Sequence, residues 1–246
     1  MILKKWEELP PKMQTDEIRR YYEILKKKKI SLFFKRFFDV LVSFVMLLVL
    51  SPVFIVLAIA IKLESKGPVF YRQERVTQYG KTFKIFKFRT MVQNADKIGA
   101  QVTVGNDARI TRVGKVIRKL RLDEISQLID VFRGTMTFVG TRPEVPRYVA
   151  HYTDEMMATL LLPAGVTSIA SIYYKDEDKL LEGAEDPNRV YVEDVLPDKM
   201  YYNLKAIENF SFFGDIKDMY MTVFAVLGME YKDEKDGIEK RVETKA

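Results

Sequence analysis

The sequence contains no cysteine and a single histidine, His151, in 246 residues. The first absence excludes disulfides and thiolate metal sites, and it fits a reducing compartment. The second argues against a zinc centre, because such sites usually draw on several His or Cys ligands. A lone loop histidine reads as structural or solvated. There is no internal repeat and no recognisable nucleic-acid-binding motif. Acids are the minority charge: 40 Lys and Arg against 34 Asp and Glu, a net charge of +6. By charge alone, the partner is anionic: a nucleic acid, an anionic membrane surface or a phosphorylated substrate.

What the chain does have is a long apolar run, Phe37 to Ile61, FFDVLVSFVMLLVLSPVFIVLAIAI, whose one ionisable residue is Asp39. It is apolar all round and too long for an ordinary buried helix. It starts far from Met1 and shows no small-residue cleavage site, so a cleavable signal peptide fits poorly. Its length permits a membrane span. Two features favour a turn-back instead. Ser51-Pro52 interrupts the run, and proline kinks a helix by removing an N–H and clashing one turn back. Positive residues, which mark the cytoplasmic side, flank both ends. Lys26 to Lys29, Lys35 and Arg36 precede the run, and Lys62, Lys66, Arg72, Arg75 and Lys81 follow it. A kinked span remains the alternative, since membrane helices tolerate proline.

Ahead of the run, Ile18, Tyr21, Tyr22 and Leu25 mark one face of a short helix, capped by Thr15 or Asp16. The Lys26 to Lys29 cluster suits anionic headgroups. Behind the run, Val69 to Tyr71 and Phe83 to Phe88 read as strands around a turn at Gln78-Tyr79-Gly80. Alternation places Phe83, Ile85 and Lys87 on one side and Lys84, Phe86 and Phe88 on the other. Asn94 to Val104 reads as mixed helix and loop.

Chemistry concentrates between Asp107 and Pro143. Ile125, Leu128, Ile129 and Phe132 predict a helix face, ended by Gly134. Asp123 and Glu124 then sit at the helix N-terminus. There they either cap the helix or hold a metal. Arg109, Arg112, Lys115, Arg118, Lys119 and Arg121 precede them, and Arg133 and Arg142 follow. Acids holding Mg²⁺ bind phosphate, and arginines supply the remaining counter-charge. Arg142 precedes Pro143, which biases it to an extended, directed backbone.

In the remainder, Pro163 to Ser171 reads as a loop and Asp176 to Asp186 as a solvated acidic stretch. Met200, Leu204 and Ile207 mark a helix. Ile216, Met219, Tyr220, Val223 and Leu227 mark another behind Asp215, too short to span a bilayer and expected to pack on the domain. Residues 230–246 are charged, poor in apolar side chains and expected to be disordered.

The order of these pieces resembles the bacterial sugar transferase family, the monotopic phosphoglycosyl transferases that act on polyprenyl phosphate. The resemblance runs over about residues 33–227. It rests on Lys35-Arg36 and Asp39 before the Ser51-Pro52 break, Gly67-Pro68-Val69-Phe70-Tyr71-Arg72-Gln73 and Lys87-Phe88-Arg89-Thr90-Met91. It continues through Arg109-Ile110-Thr111-Arg112-Val113-Gly114, Leu122-Asp123-Glu124 and Arg142-Pro143. It implies a mostly helical α+β fold in four parts. These are a basic amphipathic segment (1–32), a re-entrant membrane helix broken at Ser51-Pro52 (33–66), a cytoplasmic catalytic domain (67–228) and a charged tail (229–246). It places the protein on the cytoplasmic face of the bacterial inner membrane, among phospholipids. The implied reaction moves a sugar-1-phosphate from a UDP-sugar to undecaprenyl phosphate and releases UMP. Asp123 would be the nucleophile that carries a phosphosugar. Glu124 and Asp123 would hold Mg²⁺. Arg118 and Arg142, then Lys87 and Arg89, would bind phosphate or nucleotide.

The chain departs from the family pattern at Ser126, Thr141 and Thr77, where Pro, Pro and Gly are common. Pro163-Ala164-Gly165 stands where Arg-Pro-Gly is usual. Two other readings remain: a membrane-anchored glycosyltransferase releasing UDP, and a membrane-tethered basic binding module.

Overall fold

The structure, a computed structural model, describes residues 3–95, 107–174 and 186–226. It is a mostly helical α+β fold with a few short strands. The expectations for 230–246, most of Asn94 to Val104 and all but the end of the acidic Asp176 to Asp186 stretch lie outside the described residues.

Helix α1 (Asp16–Lys27) buries Ile18, Tyr21, Tyr22 and Leu25, the face read from spacing. Its cap is Thr15, whose side chain accepts from the Ile18 N–H. These side chains share a core with Leu160, Leu161, Leu204 and Ile207. The N-terminal segment is thus packed into the body of the protein.

Helices α2 (Lys29–Val49) and α3 (Ser51–Glu64) meet at a 60° bend. Pro52 causes it: with no N–H to donate, it ends the α2 ladder and starts a new helix. Among the described residues no single helix is long and apolar enough to cross a membrane, though the bent pair together is. The buried face of α2 carries Leu32, Lys35, Asp39 and Ser43. Many of its apolar residues face out, with Phe37, Leu48 and Val49 exposed. This polarity is the reverse of a soluble helix.

That inward polar face grips the body of the protein. Asp39 accepts from the Phe138 N–H at 3.1 Å and from Thr137 Oγ1 at 2.8 Å. Lys35 Nζ donates to Val139 O and to Asp215 Oδ2, both at 2.6 Å. Arg36 donates to the Val131 and Phe132 carbonyls at 2.7 and 2.9 Å. Carbonyls at a helix C-terminus lack intrahelical partners, so a cation there is favourable.

Strands β1 (Phe70–Val76) and β2 (Thr82–Phe88) form the expected hairpin, antiparallel from Phe70↔Phe88 to Val76↔Thr82. Helix α4 (Arg112–Lys119) follows, then α5 (Leu128–Arg133) and strand β3 (Met136–Val139). Pro163 to Ser171 is not a loop. Ala164–Thr167 forms strand β4, parallel to β3, and Ile169–Tyr173 forms helix α6. Two glycines permit the pairing: a Cβ on Gly165 would lie 2.1 Å from Gly140 O. Helices α7 (Leu196–Glu208) and α8 (Phe212–Val226) complete the fold.

Candidate active site

Asp123 and Glu124 lie in the turn between α4 and a single 3₁₀ turn, Ile125–Gln127, that leads into α5. Gly134 ends α5 in the left-handed region, at φ 86°, as expected. The buried face differs from the one read from spacing. Gln127, Leu128, Asp130 and Val131 are buried, whereas Phe132 is exposed and stacks on Phe44 of α2 at 6.0 Å. Leu128 joins the core, whereas Phe132 at the end of α5 continues the outer surface of α2.

Neither acid caps the helix with its side chain. Glu124 Oε1 instead accepts from two cations, Lys87 Nζ at 2.9 Å and Arg142 Nη2 at 2.7 Å. Burial pushes its pKa up, but Arg142 and Lys87 outweigh it and hold the carboxyl well below the usual range. Asp123 moves the other way. Burial raises it, the Glu124 charge adds to the rise, and Lys87 and Arg118 oppose it. Among the described residues, Glu124 Oε2 and the Asp123 carboxylate accept no hydrogen bond from another side chain.

Local ties fix this turn against β2. The Phe88 N–H donates to Asp123 O at 3.0 Å. Ser126 Oγ lies 3.0 Å from Phe86 O and 3.1 Å from Asp123 O. Lys87, between Phe86 and Phe88, is thereby aligned with the acid pair. Helix α4 is set by Thr111, whose side chain accepts from Gly114 N, and by Glu64 of α3. The Glu64 carboxylate accepts from the N–H groups of Arg112 and Val113 at 2.7 and 3.0 Å. Gly114 sits against Thr90, where a Cβ would fall 1.9 Å from the Thr90 carbonyl oxygen.

Of the expected site residues, Lys87, Arg142, Asp123 and Glu124 come together, with Arg118 on the exposed side of α4 close enough for its charge to lower the Asp123 pKa. Arg89 does not join them. Its buried guanidinium donates to Lys66 O at 2.5 Å and Ser65 O at 2.9 Å, clamping the end of α3. Gly67 makes room for it, since a Cβ there would lie 2.6 Å from Arg89 Nη1. Arg109 is held by Asp107 through contacts of 2.9 and 3.0 Å. A cavity of about 400 Å³ lies elsewhere, lined by Lys35, Asn203, Asp215 and Asp218 among others; none of the paired site residues borders it.

The residues at two departures have work of their own. Ser126 ties the acid turn to β2. Thr77 Oγ1 donates to Thr135 O at 2.7 Å and accepts from Ala164 N at 3.1 Å, joining the hairpin to β4.

The profile of the bacterial sugar transferase family matches residues 30–229. The chain belongs to the bacterial sugar transferase family. A UDP-N-acetylgalactosamine-undecaprenyl-phosphate N-acetylgalactosaminephosphotransferase of Aeromonas hydrophila is 35% identical over 198 residues, 79% of this chain and 44% of that protein. A UDP-glucose:undecaprenyl-phosphate glucose-1-phosphate transferase of Escherichia coli is 35% identical over 195 residues, 77% of this chain and 39% of that protein. The chain thus spans less than half the length of either relative. The exopolysaccharide production protein ExoY of Rhizobium meliloti is nearer in size: 33% identity over 207 residues covers 78% of this chain and 84% of ExoY. The family match takes in the bent helix pair, the acid turn and every cation brought to it.

Proposed function

We propose that the protein transfers a sugar-1-phosphate from a UDP-sugar to undecaprenyl phosphate and releases UMP. The observation that carries this reading is the division of labour within the acid pair. Lys87 and Arg142 neutralise Glu124 on one oxygen, while Asp123 is left without a side-chain partner among the described residues. In the first step Asp123 attacks the phosphorus that bears the sugar. A P–O bond to Asp123 forms, the anhydride bond breaks, and UMP leaves with the electron pair. In the second step an oxygen of undecaprenyl phosphate attacks that phosphorus and the carboxylate departs. Covalent catalysis suits two bulky substrates that then need not share the site. Arg118 and Arg142 offset the repulsion between a carboxylate and a diphosphate.

The donor set suits Mg²⁺. Asp123 and Glu124 offer hard carboxylate oxygens, and among the described residues no group of three or more His, Cys, Asp or Glu is placed to hold a metal ion. Magnesium is commonly held by one or two carboxylates plus substrate phosphates. Asp123 and Glu124 would hold it, and it would supply charge neutralisation at the diphosphate.

The reversed polarity of α2 supports a re-entrant pair embedded from the cytoplasmic face. Lys35, Asp39 and Ser43 turn inward, while Val49, Val56 and Leu63 are 70%, 64% and 84% exposed. A patch this apolar calls for a cover, and lipid would place the acid turn at headgroup height. Incubating the purified protein with a panel of UDP-sugars, Mg²⁺ and undecaprenyl phosphate tests the reading. UMP released with one sugar supports it. UDP release would make the protein an ordinary glycosyltransferase.

A further inference from the structure

The turn that carries Arg142 is anchored by a buried charge cluster that the proposed reaction does not use. Glu144 is buried, as is Lys199 of α7. Glu144 Oε1 accepts from Tyr191 Oη at 2.5 Å and from Lys199 Nζ at 3.3 Å. Lys199 Nζ also donates to Tyr191 Oη at 3.0 Å. The backbone of the same turn is gripped by β1. The Val76 N–H donates to Glu144 O at 2.9 Å, and Arg75 Nη1 donates to Pro143 O at 3.1 Å. Arg75 is itself steadied by Gln73 Oε1 at 2.7 Å. Residues 143 and 144 are therefore held on two sides, by β1 through the main chain and by α7 through the Glu144 carboxylate.

A buried ion pair is a poor source of stability, because apolar residues of equal volume often serve as well or better. What such a pair provides is direction. The carboxylate can be satisfied only where Tyr191 and Lys199 converge, and that fixes the path of the chain two residues earlier. We infer that Glu144 and Lys199 are positioning residues, which hold the 142–144 turn so that the Arg142 guanidinium lands on Glu124. The geometry makes α7, far along the chain, part of the support of the acid turn.

The test compares Glu144→Gln, Lys199→Met and Lys199→Arg, alone and combined with Arg142→Lys, in full-length protein. It has two readouts. The first is hydrogen-exchange protection of the Arg142 guanidinium, observed by ¹⁵N NMR and assigned with Arg142→Lys. The second is UMP formation per folded molecule, with Ile18→Val as a core change elsewhere. Glu144→Gln and Lys199→Met are expected to abolish the Arg142 protection and to slow turnover about tenfold to a hundredfold, the scale of a small misplacement of a reacting group. Lys199→Arg should restore part of both. Glu144→Gln should add little on top of Arg142→Lys, because both act through one group. Unchanged Arg142 protection in Glu144→Gln, or losses that multiply with Arg142→Lys, would overturn the inference. The rate readout rests on the proposed reaction. If the wild type releases no nucleotide, that reading fails, while the guanidinium signal still decides this one.

Discussion

Arg142 reaches Glu124 across 18 residues of sequence, with Nη2 2.7 Å from Oε1. Lys87 meets the same oxygen at 2.9 Å. Two cations on one carboxylate oxygen is more than a structural ion pair requires, and it sets the expected hierarchy of substitutions. Arg142→Lys keeps the charge but loses the planar fork. It should lower kcat/KM by about 10²-fold or more, on the scale of removing one preorganised donor from a reacting anion. Lys87→Met should fall in the same range. Steady-state kinetics on folded protein checks both. Wild-type rates in either variant would place the site elsewhere.

Arg89 should behave differently, although it lies two residues from Lys87. Its guanidinium holds the Ser65 and Lys66 carbonyls at the end of α3. Arg89→Met leaves those carbonyls without their donor, at a cost of about 1.5–3 kcal/mol for each hydrogen bond to a charged group. The expected result is a lower melting temperature, with turnover per folded molecule retained within about threefold, less than half of the 1.4 kcal/mol that a tenfold change represents. Thermal unfolding measured beside kinetics separates the two effects.

Gly114→Ala should destabilise through sterics alone. The added Cβ would sit 1.9 Å from the Thr90 carbonyl oxygen, a backbone atom that cannot swing aside. Helix α4 must then move away from the β2 end, at about 1–3 kcal/mol for overpacking, and Arg118 moves with it. Chemical denaturation should show a lower midpoint with an unchanged slope.

Asp218 gives a pH dependence with a definite sign. Burial raises its pKa to about 6, Asp215 adds to the rise, and Lys217 and Lys35 oppose it. A raised carboxylate binds its proton more tightly in the folded state. Its contribution is therefore fully present below the ordinary value of 3.8 and lost as pH rises through about 6. Asp218→Asn should raise the melting temperature at pH 8 by a few degrees, about what 1 kcal/mol gives a domain of this size. At pH 3.5 the gain should vanish. Melting curves across that range test it, and a gain that grows on acidification would reverse the assignment.

The parts legible in the sequence were those governed by local spacing. The α1 face, the hairpin, the Ser51-Pro52 break and the Gly134 stop all follow from neighbours a few residues apart. Asp123, Glu124 and Arg142 were legible as an acid pair among cations; the family resemblance assigned their roles and alone brought in Lys87. The rest depended on partners distant in sequence. Arg89 looks like Lys87 in a run of alternating basic and aromatic residues; only the position of the α3 end decides that it points away. Pro163 to Ser171 carries loop composition, and Ala164–Thr167 within it is a strand because Gly140 admits Gly165 beside it. Phe132 was read on one helix face with Leu128, but an apolar outer surface on α2 gives Phe132 a neighbour outside the core. Lys199 carried no signal at all, since nothing near it in sequence announces Glu144.

The central claim is that Asp123 carries the phosphosugar. The most direct measurement is a single-turnover reaction with the UDP-sugar and Mg²⁺ but no undecaprenyl phosphate, followed by mass spectrometry of the peptide containing Asp123. The account predicts UMP rising to at most one equivalent per enzyme and a sugar-phosphate adduct on that peptide, both absent in Asp123→Asn. UMP that forms only when the lipid acceptor is added, with no adduct, would contradict it.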